Sequence, residues 1–126
     1  MNEINIINNY LKPLTAKNSG ALNLTDDIYF NKKNKTAISI DTYVKSVHFI
    51  NSNKPKYFLR KVLRSSLSDL YCKGIKPHAY FLSFALNKKI AKNIWLKNVQ
   101  KILRSEQKKF KIKLGGGDTT YSSKFV

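Results

Sequence analysis

Acidic residues are scarce in this sequence, which has 7 Asp and Glu against 24 Lys and Arg and a formal net charge of +17 at pH 7. The lone Cys72 excludes an internal disulfide, and the longest apolar run, near residues 79–86, is too short to cross a bilayer. The chain also does not open with the basic and apolar blocks of a secretory signal. We therefore expect a single domain over residues 1–126, located in a reducing cytoplasm, with no membrane partner.

Such a basic composition can indicate a nucleic-acid partner. The lysines, however, occur all along the chain among many asparagines and isoleucines, and no zinc-ligand set, aromatic RNA-binding signature or basic zipper accompanies them. Nucleic-acid binding is therefore the least favoured interpretation of the charge.

Three stretches carry apolar residues at helical spacing, and they cover residues 4–14, 58–71 and 90–110. Pro13 closes the first, and Gly74 follows the second as its C-cap glycine. In the third, Ile94, Trp95 and Val99 share one face with lysines largely opposite. This pattern predicts three helices and favours a core role for Trp95 over base stacking.

Apolar or β-branched runs between polar segments predict strands, at residues 22–30, 36–41, 78–86, 112–114 and 121–126. Residues 44–49 either continue the second strand or form another. The run at 78–86 is dense in aromatic and aliphatic residues, so we expect it to be buried. Both histidines, His48 and His78, fall in or beside such runs, and a lone histidine is more often structural than a ligand.

The stretch Gly115-Gly116-Gly117-Asp118-Thr119-Thr120 concentrates three of the five glycines and one of the few acids. Glycine lets the backbone approach a ligand closely, and carboxylate and hydroxyl oxygens are the ligands that Mg²⁺ prefers. The pattern suits a metal-bound polyphosphate. A glycine-rich turn that ends a strand explains it equally well.

The other aspartates stand beside hydroxyl residues or at the ends of predicted elements, in Thr25-Asp26-Asp27, Ser39-Ile40-Asp41-Thr42 and Leu67-Ser68-Asp69-Leu70. Asp69 falls late in a predicted helix, where the helix dipole disfavours a carboxylate. Because carboxylates are so few here, this placement favours metal-site roles, provided that the fold brings the side chains together.

These motifs, in this order, resemble the N-terminal domain of thiamine-monophosphate kinase, of the ATP-binding superfamily that includes aminoimidazole ribonucleotide synthetase and selenophosphate synthetase. The resemblance covers nearly the whole chain and rests on Leu11-Lys12-Pro13-Leu14, Asp26-Asp27, residues 39–44 with His48-Phe49, residues 67–70 with Gly74 and Pro77, and residues 116–120. It implies an α+β fold, with a mixed sheet backed by two or three helices, and a homodimer formed through the strands.

The resemblance also implies an activity, the transfer of the γ-phosphoryl group of ATP to thiamine monophosphate with Mg²⁺. The residues that it implicates are Asp27, Ser39, Asp41, Asp69 and Asp118 as metal ligands, Gly117 with Asp118 as ATP contacts, and His48 as a contact of the thiamine phosphate. No nucleophile is expected, because phosphoryl transfer depends on positioning and charge neutralisation.

The family carries a second, C-terminal domain with further ATP and substrate contacts, which these 126 residues do not include. We therefore expect a fragment that is inactive alone, with a separately encoded C-terminal half as a possible partner. The alternative is a non-catalytic basic interaction domain that retains the fold, and the third interpretation is a non-specific nucleic-acid binder.

Overall fold

The computed structural model describes residues 2–122, and the chain divides into two compact units, the first ending at Asp41 and the second beginning at Thr42. Of the strand predicted at 121–126, only the first two residues fall within this description, and residues 123–126 lie outside the described residues.

The first unit begins with consecutive helical turns of three geometries, which are α1 (Glu3–Ile6), a π-helical turn (Ile7–Leu11) and a 3₁₀ turn (Lys12–Thr15). The side chain of Asn2 caps α1 by accepting the Asn5 N–H at 3.0 Å. The predicted first helix is thus confirmed in position. Pro13, however, lies within the 3₁₀ turn instead of closing the helix, because proline is tolerated in a first helical turn.

A hairpin completes the first unit, with β1 (Ile28–Asn31) antiparallel to β2 (Thr36–Ser39) and Ile28 opposite Ser39. Both strands lie where the sequence predicts them. The first does not begin at residue 22, because residues 22–24 have positive φ angles of 50°, 56° and 52° and belong to a 3₁₀ stretch, Ser19–Leu24. A left-handed backbone cannot continue an extended strand.

The second unit contains two long helices, α2 (Pro55–Tyr71) and α3 (Asn93–Phe110). Pro55 stands at the helix start, where its missing N–H costs nothing, and Gly74 has φ +71° just past the end of α2. The helices predicted at 58–71 and 90–110 are confirmed, although α3 begins at Asn93, three residues after the predicted start.

A parallel pair of strands, β3 (Ala79–Leu86) and β4 (Lys113–Tyr121), is joined through α3, as a parallel connection requires. Gly115 is the extra residue at a bulge, because Tyr80 pairs with Leu114 and Phe81 with Gly116. Alternate residues of β3 are half-buried or buried, while Phe81 is 75% exposed. The prediction of a buried strand is therefore wrong for every second residue, because one face of β3 is exposed.

The second unit packs around two buried clusters, one of Phe58, Leu59, Leu86, Trp95 and Val99 and one of Leu63, Leu67 and Ile112. Trp95 is in the core as predicted, and its indole N–H donates to the Ser52 carbonyl at 2.9 Å. Ile94 is 79% exposed, so its predicted place on the apolar face is wrong. Position 94 lies about 100° around the helix from Trp95.

The α+β class is confirmed. Within residues 2–122 the strands form two separate two-stranded sheets, one antiparallel and one parallel. No helix in this described range is both long and apolar enough to span a bilayer.

Candidate functional site

Three of the implicated metal ligands lie at the open end of the β1–β2 hairpin. Asp27 directly precedes β1, Ser39 is the last residue of β2, and Asp41 follows two residues later. The pairing of Ile28 with Ser39 places these positions at the same end of the hairpin. The Asp26 carboxylate accepts the Asp27 N–H at 2.7 Å and thereby orders the approach to β1. Two exposed carboxylates and a hydroxyl therefore share one end of the first unit.

The remaining implicated ligands belong to the second unit. Asp69 is half-buried, two residues before the end of α2, and Asp118 is exposed in the middle of β4. Asp118 pairs with Ser83, on the exposed side of β3.

Among residues 2–122 there is no group of three His, Cys, Asp or Glu side chains that could hold a metal ion by itself. Mg²⁺ commonly uses one or two carboxylates and completes its shell with water and substrate phosphates. The oxygen donors at the hairpin end suit a metal ion that arrives with a phosphate ligand, and the exposed carboxylate of Asp118 is a separate oxygen donor in the second unit.

The glycine run lies inside β4 and not in a loop. Gly116 and Gly117 have φ angles of +153° and +155°, which residues with side chains rarely adopt. A Cβ at Gly117 would lie 2.6 Å from the carbonyl carbon of Leu82 and would collide with its oxygen. The close approach of β3 and β4 is therefore enough to explain why position 117 is glycine, whether or not a ligand binds there. Every residue of β4 is exposed.

His48 lies in a tight turn, so the strand predicted at 44–49 is wrong. Ser46 has φ +70°, its N–H donates to the Phe49 carbonyl at 2.7 Å, and the His48 N–H donates to the Val44 carbonyl at 2.9 Å. The His48 ring is held as well, because its Nδ1 accepts the Val44 N–H at 2.9 Å. The Tyr43 ring packs edge-on to it, with the ring centroids 5.5 Å apart.

An open pocket of about 540 Å³ lies between this turn and the beginning of α2, and its lining comprises His48, Phe49, Ile50, Asn51, Lys54, Tyr57, Phe58 and Lys61. The Lys61 ammonium donates to the His48 carbonyl at 2.6 Å. Sequence reasoning missed Lys54 and Lys61. The sequence signal for them was their spacing of seven residues, which is about two helical turns and places both lysines on one side of a helix. That helix begins only a few residues after His48.

Sequence reasoning also missed the Glu106 carboxylate, which is 1% exposed on the core-facing side of α3. Arg64 forms two hydrogen bonds with it, from Nε at 2.7 Å and Nη2 at 2.9 Å, and Arg60 Nε lies 3.1 Å away without hydrogen-bond alignment. The hydrogen bonds from Arg64 lower the pKa of Glu106 although burial opposes the shift. This contact ties α2 to α3. The sequence signal for this buried carboxylate was the position of Glu106, seven residues after Val99, which places it on the apolar face of α3.

Residues 18–125 match the family described as AIR synthase related protein, N-terminal domain. The thiamine-monophosphate kinase of Buchnera aphidicola subsp. Schizaphis graminum is 35% identical over 122 residues, which are 94% of this chain and 37% of that protein. Its counterpart in Haemophilus influenzae is 28% identical over 124 residues, 95% of this chain and 37% of that protein. The counterpart in Methanocaldococcus jannaschii is 25% identical over 130 aligned residues, 100% of this chain and 41% of that protein.

The chain therefore spans less than half the length of these curated relatives. No solved structure matches it.

Proposed function

Because the chain belongs to the family of AIR synthase related protein N-terminal domains, we propose that it forms the Mg-ATP-binding part of a thiamine-monophosphate kinase. The similarity to thiamine-monophosphate kinases confirms the resemblance that the sequence motifs indicate. The proposed reaction transfers the γ-phosphoryl group of ATP to thiamine monophosphate.

The observation that carries this proposal is the group of oxygen donors at the hairpin end. Asp27, Ser39 and Asp41 would hold Mg²⁺ there, and the ion would neutralise phosphate charge. Asp69 and Asp118 are the further proposed ligands. The protein needs no nucleophile for this reaction, because a kinase acts mainly by positioning the phosphates and balancing their charge.

On β4, Gly117 and Asp118 are the proposed ATP contacts. The strand is exposed along its length, and the absence of side chains at three successive positions leaves its backbone accessible to a phosphate. Asp118 then stands one residue beyond the glycines, where its carboxylate can meet a phosphate-bound metal ion.

We further propose that the 126 residues alone turn over little substrate, as a dimer or as a monomer. They correspond to 37% of the Buchnera kinase, so much of the enclosure around donor and acceptor would come from elsewhere, for example from a separate C-terminal polypeptide. Holding two reactants in line supplies roughly 7–11 kcal/mol of the barrier reduction. A loss on that scale would put turnover below detection, which an assay for thiamine diphosphate would test.

The metal assignment is tested by calorimetric titration with Mg-ATP. Asp27→Asn and Asp41→Asn should each weaken binding by roughly tenfold, which is about 1.4 kcal/mol. Asp26→Asn is the matched control, because it removes the same charge at the neighbouring position and keeps an oxygen that can accept the Asp27 N–H. If all three variants bind Mg-ATP as the parent does, the hairpin end is not the metal site.

A second candidate is a basic interaction domain, favoured by the outer face of α3. Lys97, Lys101, Arg104 and Lys108 are exposed at spacings of four, three and four residues, directly opposite the face that buries Trp95. The only acid in the helix, Glu106, is buried against Arg64. A single-sign face of this kind attracts polyanions.

This candidate is tested with a short DNA duplex at two salt concentrations. Changing these four residues to Gln should abolish most of the affinity and flatten its salt dependence, because phosphate contacts release counterions. Changing Lys32, Lys33 and Lys35 to Gln is the control in the first unit. Equal losses from both changes would mean that only net charge matters and that α3 is not a binding face.

A further inference from the structure

We propose that the ring of Phe81 is a stacking platform for the purine base of the nucleotide whose phosphates meet Gly117 and Asp118. The placement of those phosphates rests on the proposed function, whereas the position and the exposure of the ring do not. Phe81 is then a specificity-determining residue, because its ring favours a nucleotide over a polyphosphate that carries no base.

The first step is the exposure of this side chain. Among residues 2–122, Phe81 is the most exposed aromatic residue, at 75%, although Tyr80 and Leu82 on either side of it are half-buried. A large apolar ring in contact with water is unfavourable, and a flat ligand that covers the ring removes that surface from water. Nucleobases stack on such rings, because every base has a π-face.

The second step is the position of the ring at the start of the glycine run. A Cβ at Gly115 would lie 3.1 Å from Cζ of Phe81, and a Cβ at Gly116 would lie 3.5 Å from its Cδ1. The missing side chains of these two glycines therefore leave room for the ring. Because an aromatic ring over a glycine in a neighbouring strand also stabilises a sheet, a binding test must separate the two roles.

The third step is the path from the ring to the proposed phosphate contacts. Phe81 and Ser83 lie on the same face of β3 because they are two residues apart, and Ser83 pairs with Asp118. Asp118 follows Gly115 by three residues, which is about 10 Å at 3.3 Å per residue. The ribose and phosphates of a nucleoside triphosphate can bridge that length. Only glycines lie between, so no side chain of β4 blocks the path.

The contribution of the base is tested by calorimetric titration with Mg-ATP and, separately, with Mg-tripolyphosphate. Phe81→Leu should weaken Mg-ATP binding by roughly tenfold, which corresponds to about 1.4 kcal/mol, and should leave Mg-tripolyphosphate binding unchanged. Tyr71→Leu is the matched control, because it removes another exposed aromatic ring, at the end of α2. Equal losses for the two ligands in Phe81→Leu would show that the ring only supports the strand, and would overturn the proposal.

The stacking contact itself is tested by the fluorescence of Phe81→Trp. Trp95, the only tryptophan of the parent chain, is buried in the core, so ATP should not change the emission of the parent. In Phe81→Trp we expect ATP and GTP to quench the emission alike, because stacking does not read the hydrogen-bonding edge of a base. Tripolyphosphate should not quench it. Bound Mg-ATP without quenching would contradict the stacking.

An Asp118→Asn variant and adenosine separate this proposal from the proposed function. If Asp118→Asn weakens Mg-ATP binding and Phe81→Leu does not, the platform is wrong and the proposed function stands. If the parent binds no Mg-ATP, the proposed function fails, and adenosine without metal decides the platform. Quenching of Phe81→Trp by adenosine would then uphold the platform, and the absence of quenching would overturn it.

Discussion

The two units of this protein differ sharply in how they bury apolar side chains. Among the described residues, the first unit contributes one large hydrophobic residue to the buried set, Ile28, whereas the second contributes Phe58, Leu59, Leu63, Leu67, Leu86, Trp95, Val99 and Ile112. Within residues 2–41, eight large hydrophobic residues are exposed. About 40 residues are too few to close a core of their own. The second unit therefore carries most of the folding free energy.

Charge follows the same division. Residues 1–41 have five basic and four acidic side chains, whereas residues 42–126 have nineteen basic and three acidic ones. The net charge of +17 therefore belongs almost wholly to the second unit. The hairpin end, where the metal ligands are proposed, lies in the nearly neutral first unit. A nearly neutral segment repels a cation less than the strongly basic second unit does.

The largest expected effect comes from separating the units after Asp41. Residues 42–126 should retain helical circular dichroism and a cooperative thermal transition, because both buried clusters lie within them. The peptide 1–41 should show neither. A peptide 1–41 that folds alone, or residues 42–126 that do not fold, would show that stability is not divided between the units in this way.

Glycine substitutions should also destabilise the two units to different extents. Gly117→Ala should lower the free energy of unfolding by about 3 kcal/mol, because its Cβ meets the backbone of Leu82 and the backbone angle disfavours a side chain. Gly20→Ala in the first unit should cost about 1 kcal/mol, because its Cβ chiefly meets the Tyr29 ring, which is 36% exposed and can rotate away. Urea denaturation measures both, and the prediction fails if the order is reversed.

Two acidic residues, one in each unit, should also differ in how much they contribute to stability. Glu106→Gln should cost roughly 2 to 3 kcal/mol, because it leaves Arg64 without its buried carboxylate, although both arginines keep some solvent contact. Asp27→Asn, at an exposed position of the first unit, should cost less than about 1 kcal/mol. Chemical denaturation of the two variants at pH 7 tests the order.

The same carboxylate predicts a pH dependence. Because the folded pKa of Glu106 is lowered, its stabilising contribution is complete above the ordinary glutamate pKa of about 4.3 and is lost as the pH falls through the folded pKa. The parent should therefore lose stability more steeply than Glu106→Gln below about pH 4. Parallel curves for the two proteins would show that Glu106 is not coupled to folding in this way.

The smallest effects are expected at exposed apolar positions in either unit. Ile40 is 83% exposed in the first unit and Ile94 is 79% exposed in the second. Ile40→Thr and Ile94→Thr should each change the free energy of unfolding by less than about 0.5 kcal/mol. A large loss at either position would reveal a contact that buries it, for instance with a second copy of the chain, which sedimentation would detect.

Sequence periodicity alone located α2 and α3, because a long amphipathic helix repeats its signal over several turns. Trp95 was placed in the core on the same basis. Motif order alone also identified the family. The bounds of the short strands were predicted less well. The sequence predicts an extended strand from residue 22, but residues 22–24 adopt left-handed backbone angles that their composition does not indicate.

Other features of the protein depend on contacts between residues that are distant in the chain, and the sequence does not indicate them. The glycine at 117 is required by the backbone of Leu82 in a neighbouring strand, and the burial of Glu106 depends on Arg64, 42 positions earlier. The pocket beside His48 likewise needs a turn and a helix to meet. Local sequence determines propensity within a few residues, whereas such contacts form only when packing brings separate segments within van der Waals and hydrogen-bonding distance.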